Sequence, residues 1–310
     1  MSGPVPSPAD LDLRLVRCFT VLAEHRHFRR AAETLHLTQS SLSRQIDRLE
    51  RQVGARLLNR TPRGTTLTEA GAVFLPLAGE MLRSTEQAVA RTRAAAQPGR
   101  ITIGYMANLI VTPAVRELRH RHPEANVRTR HLDWRETRAA LLGHRVDAAV
   151  TRLPFATGQL RVTVLYDEPR AVLMPRDHRL AGKESVTVDD IADEPLVRAA
   201  DPVWDAFWCI DPRPDGRPAP GGPVIEQVED KFELVASGEA IAIIPDSAGF
   251  LGLRPDLTAT PLADAEPSQV VVATRADDHS PLVTAFGRYA RAHLTGPAAT
   301  LGPGAASARA

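Results

Sequence analysis

Apolar residues in the first third of the chain recur at three- and four-residue steps. Leu15, Cys18, Phe19 and Leu22 make the buried stripe of a helix over 12–24. His25, Arg26 and His27 turn the chain into a second helix, whose inner face is Phe28, Ala31, Ala32 and Leu35. The small Ala31-Ala32 pair lets two helices approach closely. A third helix carries Leu42, Ile46, Leu49 and Val53 on one stripe; Thr38 stands at its N-cap and Gly54 at its stop. Its opposite face holds Ser40, Ser43, Arg44, Asp47, Arg48 and Arg51. Next, Leu57 and Leu58 anchor a pair of short extended pieces around a Thr61-Pro62-Arg63-Gly64 turn, which predicts a two-stranded hairpin. Phe74, Leu77, Met81 and Ala88 then sit near heptad spacing in one long helix to about Ala96. Pro76 should remove one hydrogen bond and bend it early. A half-apolar helix of this length wants a partner.

Gln97-Pro98-Gly99 marks a boundary, and from Arg100 the pattern changes to strands alternating with helices. ITIGYM, NVRTRHL, VDAAVTR, AVLMP, PLVRAA, VIEQV, AIAIIP, LTATPL and QVVVATR read as strands. Helices are expected from Thr112-Pro113, over WRETRAALLGH, at VDDIADE, at DKFELVASG and over 281–294. Such alternation predicts an open α/β sheet, and the length suits two small lobes. Residues 211–223, DPRPDGRPAPGGP, read as a surface loop. Residues 296–310 are poor in bulky apolar side chains and read as a disordered tail.

Charge sharpens this picture. The whole chain carries +1, but residues 11–68 carry +6, which leaves −5 for the rest. A basic head on a mildly acidic body suits a phosphate-binding module attached to something else. Only Lys183 and Lys231 are lysines, which explains arginine over lysine but not the segregation of sign. No run of about 18 apolar residues suggests a membrane span, and the N-terminus has neither a basic n-region nor an apolar h-region. Cys18 and Cys209 lie far apart in sequence, in different domains, so the expectation is a reducing cytoplasm without a disulfide framework. Cys18, on an apolar stripe, reads as core.

The second and third helices form a helix-turn-helix whose second helix is built to enter a major groove. The stretch AAETLHLTQSSLSRQIDRLERQVGARLLNRTPRGTTLTEAG resembles the N-terminal signature of the LysR-type transcriptional regulators. The match runs almost unbroken from Leu13 to Gly71 and continues more weakly through most of the chain. The resemblance implies an α+β multi-domain protein. It would have an N-terminal winged helix-turn-helix at 11–68, a linker and dimerisation helix at 69–97, and a C-terminal two-lobed α/β periplasmic-binding-protein-like effector domain at 100–295. Lobe one would comprise 100–162 and 268–295, and lobe two 167–262, joined by two crossing strands. It also implies a homodimer or homotetramer on double-stranded promoter DNA, an unknown small-molecule effector, contact with RNA polymerase, and no membrane or cofactor.

Candidate DNA contacts follow from helix position. Gln39, Ser40, Ser43 and Arg44, with Thr38 beside them, occupy the end of the recognition helix that meets base edges. Arginine can bridge guanine O6 and N7, and glutamine can pair with adenine. Arg30, Arg48, Arg51 and Arg60 suit phosphates, which set register. Arg63, at the hairpin tip, is placed for a narrow minor groove. Asp47 would repel phosphate; it either accepts from a cytosine or holds Arg51 one turn on.

Ligands of open α/β sheets bind beyond the carboxyl ends of strands. That criterion selects Met106, Asn108 and Leu109 after the first strand, Trp134 after the second, and Arg152 and Phe155 after the third. On lobe two it selects Pro202, Trp204 and Glu229. By the resemblance, the position of Asn108 often supplies a hydroxyl to the effector; an amide there keeps the hydrogen bonding. Asp201-Pro202 reads as N-cap and first helical residue, which places Trp204 and Trp208 on one face. Trp204 either floors a pocket for a flat ligand or belongs to the core. Arg152 can pair with an effector carboxylate.

Two other classes fit less well. An enzyme body, notably a lysine-dependent aminotransferase, would need a Schiff-base site, and neither Lys183 nor Lys231 has a visible one. No G-x-S-x-G, Gly-rich phosphate loop or zinc helix motif appears, and His120 and His122, two apart, do not converge on a metal. A redox-responsive regulator would need a resolving partner for Cys209. A regulator of the same fold that needs no ligand stays open.

Overall fold

The computed structural model describes residues 11–61, 64–96, 99–246 and 254–296, with backbone alone at 60–61 and at several positions late in the long helix. The chain divides into two compact units, residues 1–96 and 97–310.

The first unit runs α1 Leu13–His25, α2 Phe28–Thr34, α3 Gln39–Val53, β1 Leu58–Thr61, β2 Gly64–Leu67 and α4 Glu69–Ala96. Side-chain caps set the starts. The Asp12 carboxylate accepts from Arg14 N at 2.9 Å, and the Thr38 hydroxyl accepts from Ser41 N at 3.2 Å. Gly54 ends α3 at φ +76°, where a Cβ would be strained. The apolar stripes meet in one core: Phe19, Leu22, Leu42, Ile46, Leu49 and Leu57 are fully buried. Each such side chain contributes roughly 1.5–3 kcal/mol by leaving water. Ala31 and Ala32 are buried between the helices, and Phe74 of α4 lies 5.4 Å from the Phe19 ring. Gly71 has a specific reason: a Cβ there would stand 2.0 Å from the Leu57 carbonyl oxygen. The first turn of α4 therefore rests directly on the backbone leading into β1. The helix runs on through Pro76.

The second unit begins with β3 Arg100–Met106, α5 Thr112–Arg121, β4 Asn126–Leu132, α6 Thr137–Leu142, β5 Ala148–Arg152 and β6 Leu160–Glu168. It continues with β7 Arg170–Pro175, β8 Arg198–Ala199, α7 Pro202–Cys209, β9 Val224–Ile225, α8 Asp230–Ala236, β10 Ala242–Pro245, β11 Leu257–Pro261, β12 Ser268–Arg275 and α9 Pro281–His293. Lobe one holds a five-stranded sheet in the order β4-β3-β5-β12-β6, with β3 parallel to β4 and β5, and β12 antiparallel to β5 and β6. Lobe two holds a three-stranded antiparallel sheet, β10-β7-β11, and the short parallel pair β8-β9.

Several details differ from the reading of the sequence. The expected helix over WRETRAALLGH shortens to α6, because the Glu136 carboxylate accepts from Asp133 N and the Asp133 carboxylate from Arg135 N, which folds Asp133–Glu136 into a turn. PLVRAA and VIEQV pair with each other over only two residues each, with Leu196 bridged to Ile241 besides. The strand leaving lobe one was expected near Val162, with lobe two from 167; β6 in fact stays paired to β12 through Glu168. Residues 211–223 form a loop, but Arg213 and Ala219 are buried, and Ala219 packs into the lobe-two core. The tail expected at 296–310 lies outside the described residues beyond Gly296. Among the described residues no helix is long and apolar enough to cross a membrane, and no cluster of side chains could hold a metal.

Candidate functional site

Two surfaces carry chemistry. The first is the outer face of α3. Its apolar side is sunk in the core, so Gln39, Ser40, Arg44, Asp47, Arg48 and Arg51 stand exposed together; Ser43 is half-buried. Arg30 on α2 is exposed beside them in sequence order. The Thr38 hydroxyl, busy with Ser41 N, also lies 3.2 Å from the Ser40 hydroxyl. Arg51 Nε donates to the Asp47 main-chain carbonyl at 3.3 Å, a contact that differs from the carboxylate pairing expected of Asp47. The side chain of Arg60 and all of Arg63 lie outside the described residues.

One supporting residue escaped the sequence reading. The Glu50 carboxylate accepts from Leu57 N at 2.8 Å and Leu58 N at 3.1 Å, which fastens the hairpin to the last turn of α3. It flanks the apolar stripe of α3, and nothing in the local sequence marks its link to the strand that follows. Gly64 and Thr65 press the other strand against the α1–α2 turn, where Thr65 N donates to the Arg26 carbonyl at 3.0 Å.

The second surface is a cavity between the lobes of the second unit, of about 70 Å³. Met106, Ala107, Asn108, Trp134 and Arg152 wall it from lobe one, at the carboxyl ends of β3, β4 and β5. Trp204, Trp208, Cys209, Ile225, Lys231, Phe232 and residues 242–245 wall it from lobe two. The Asp201 carboxylate caps α7 through Val203 N and Trp204 N, so the helix begins where the sequence suggested. Trp204 consequently projects to the lobe boundary, stacked on Trp134 with ring centres 5.3 Å apart, and packs against both lobe cores. Asn108 adopts φ +62°, a left-handed conformation that asparagine tolerates. Trp134 and Trp204 also border a second, wider cleft of about 360 Å³ with Arg135, Arg138, Pro154 and Phe155. Leu109 is buried in the lobe-one core, while Pro202 and Glu229 are exposed at the starts of α7 and α8.

The cations of the cavity differ sharply. Arg152 was expected to face an effector carboxylate. Instead its Nε donates to Glu168 at 2.6 Å, its Nη2 to the same carboxylate at 3.1 Å, and its Nη1 to the Ala107 carbonyl at 2.9 Å. Register explains this: Arg152 lies opposite Val270, and Glu168 opposite Ser268, so both reach over the same face of β12. Arg198 is likewise held by Asp205 and Asp211. The Lys231 ammonium makes no hydrogen bond or ion pair among the described residues. Burial pushes it down to about 8, and the nearby Arg152 charge adds to this against an opposing effect of Cys209. Cys209 is buried, and burial pushes its thiol up to about 12, which keeps it protonated. A buried, protonated thiol gives no support to a redox switch.

A head that offers a recognition helix and a hairpin, joined to a two-lobed body with a cavity at strand ends, defines a DNA-binding regulator with a ligand-binding module. Residues 13–72 match the bacterial regulatory helix-turn-helix protein, lysR family, and residues 94–295 match the LysR substrate binding domain; the chain belongs to the LysR family of transcriptional regulators. It is 30% identical to the HTH-type transcriptional regulator AlsR of Bacillus subtilis over 89% of this chain and 94% of that one. It is 32% identical to a probable cat1 operon transcriptional activator of Acinetobacter lwoffii over 88% and 93%. Full-length BenM superposes with a TM-score of 0.51 at 26% identity, covering 91% of this chain and 96% of that chain. CbnR, a LysR family regulator, shares the fold with a TM-score of 0.57 at 21% identity, covering 91% and 98%. The chain is accordingly a DNA-binding transcriptional regulator with an effector-binding domain.

Proposed function

We propose that the cavity between the lobes is the effector site, and that its occupancy controls how the α3 faces of a dimer engage DNA. The supporting observation is the Trp134–Trp204 stack: one ring from each lobe meets at the cavity wall, so a ligand that touches both senses the separation of the lobes. A ligand that binds one spacing better shifts the population toward it. Gln39, Ser40, Ser43 and Arg44, with Thr38, read base edges; Arg30, Arg48, Arg51, Arg60 and Arg63 hold the backbone and the minor groove. Val73, Leu77 and Val89 are exposed along α4, which suits pairing of that helix with a second copy. A two-fold dimer reads an interrupted palindrome, in the cytoplasm, and works through RNA polymerase; the chain is not an enzyme and carries no cofactor.

The test is fluorescence anisotropy of the full chain on DNA from upstream of its own gene, against a scrambled duplex. Salt should be about 150 mM, since unscreened charge alone gives affinity at low salt. Sequence-selective binding that a small molecule alters in wild type but not in Trp204→Ala supports the reading. Selective binding that no member of a broad metabolite panel alters overturns the effector assignment.

A further inference from the structure

The cavity wall carries a charge pattern that the ligand must complete. Arg152 is neutralised by Glu168, and Arg198 by Asp205 and Asp211. Asp205 is the cavity's only acidic lining residue among those described, and its oxygens are engaged by Arg198 and Ala199 N. Among the described residues, Lys231 alone of the lining cations has no carboxylate partner, and the buried indole N–H of Trp208, in the same wall, has no acceptor. Apart from the Asn108 amide, the remaining wall is largely apolar, through Met106, Ile225, Phe232 and Ile243. About 70 Å³ holds roughly five or six water-sized groups. A monoanion with a short alkyl tail satisfies all of this, and an inorganic oxyanion wastes the apolar wall.

We infer that the cavity recognises a short-chain aliphatic carboxylate, paired through its carboxylate to the Lys231 ammonium. This rests on the reading of the cavity as the effector site. It brings a pH signature. Arg152 faces Lys231 already compensated by Glu168, burial keeps the Cys209 thiol protonated, and the Arg198 guanidinium holds the Asp211 carboxyl below its usual range. Lys231 is therefore the group that titrates. With its proton leaving near pH 8, affinity is level below that point and falls up to tenfold per pH unit above it.

All the tryptophans of the chain, Trp134, Trp204 and Trp208, line this cavity, so intrinsic fluorescence reads it selectively. The experiment titrates the full-length protein with acetate, propionate and butyrate, with the matching amides, and with benzoate and sulfate. The expected result is a saturable change with the aliphatic acids, at least tenfold weaker with the amides, and weakening above pH 8. Lys231→Met should lose at least tenfold in affinity, while Lys231→Gln, which keeps a donor, should lose less. The comparison of acid with amide uses the unmodified protein, so it stands whether or not the variants fold. Equal binding of acid and amide, equal binding of sulfate, or undiminished affinity in Lys231→Met overturns the proposal. If benzoate but not the aliphatic acids alters both fluorescence and DNA binding, the cavity is still the effector site and only its ligand class is overturned. If no compound alters either, both readings fall.

Discussion

On α3, Arg44, Arg48 and Arg51 stand exposed along one side of a helix, free to meet phosphate and base edges. In the cavity, Arg152 and Arg198 are enclosed by carboxylates, and among the described residues only Lys231 keeps an uncommitted charge. Both regions are cationic by composition, yet their usable charge differs. An exposed guanidinium stays solvated and available. A buried one must be compensated from within the protein, because an isolated charge in a low-dielectric interior costs several kcal/mol. Counting arginines therefore locates a DNA surface but misleads about a pocket, where the informative cation is the one that the fold leaves uncompensated.

The largest effect that would sharpen this contrast is at Glu168. Glu168→Ala strands a buried guanidinium and should cost about 3–5 kcal/mol, read as a lowered midpoint in urea unfolding; a loss below about 1 kcal/mol would mean that solvent reaches Arg152. On the open face the same removal of charge should leave folding intact. Arg44→Ala is expected to lose about 1–3 kcal/mol of discrimination at one base pair, whereas Arg48→Ala weakens all duplexes alike and lowers the salt slope by about one. Anisotropy on single-substitution duplexes separates the two, and uniform weakening by Arg44→Ala would move that residue to the phosphate group. A smaller effect belongs to Lys231→Met in the absence of ligand. Since the lysine is pushed down from its ordinary value to about 8, its ammonium opposes folding below that pH, and the penalty fades as pH rises from 8 toward 10.5. The variant should be more stable than wild type by on the order of 1 kcal/mol at pH 7, with the gap closing by pH 10; a constant gap would assign the difference to packing. The smallest expected effect is none: dilute peroxide should leave DNA affinity unchanged, because the Cys209 thiol is buried and protonated.

The helical head was largely legible in the sequence, because a helix prints its buried face as a local three-four period and its ends as caps. Leu15 through Leu49, Thr38 and Gly54 all fall where that rule puts them. The cavity was legible only by strand ends. Met106, Asn108, Trp134 and Trp204 could be placed that way, since each follows a strand or starts a capped helix. Lys231 could not, because what makes it notable is the absence of a carboxylate near it in three dimensions, and a search for Schiff-base surroundings passed it over. Glu168 was missed for a related reason. It closes β6, an edge strand half-exposed along much of its length, which lacks the apolar run that announces a buried strand. Its pairing with Arg152 is set by β12, whose Ser268 lies 100 residues further along the chain.

Gly71 makes the long helix mechanical. With no Cβ between its first turn and the Leu57 carbonyl, α4 is seated backbone to backbone on the core that carries α3, and it cannot roll there without a collision. Its 28 residues make a lever of roughly 42 Å, so a swing of about 5° at the seat corresponds to about 4 Å at the far end. That angle is fixed at the seat by a glycine, and a methyl group added there would have to displace the Leu57 carbonyl, whose residue is tied through Glu50 to the recognition helix.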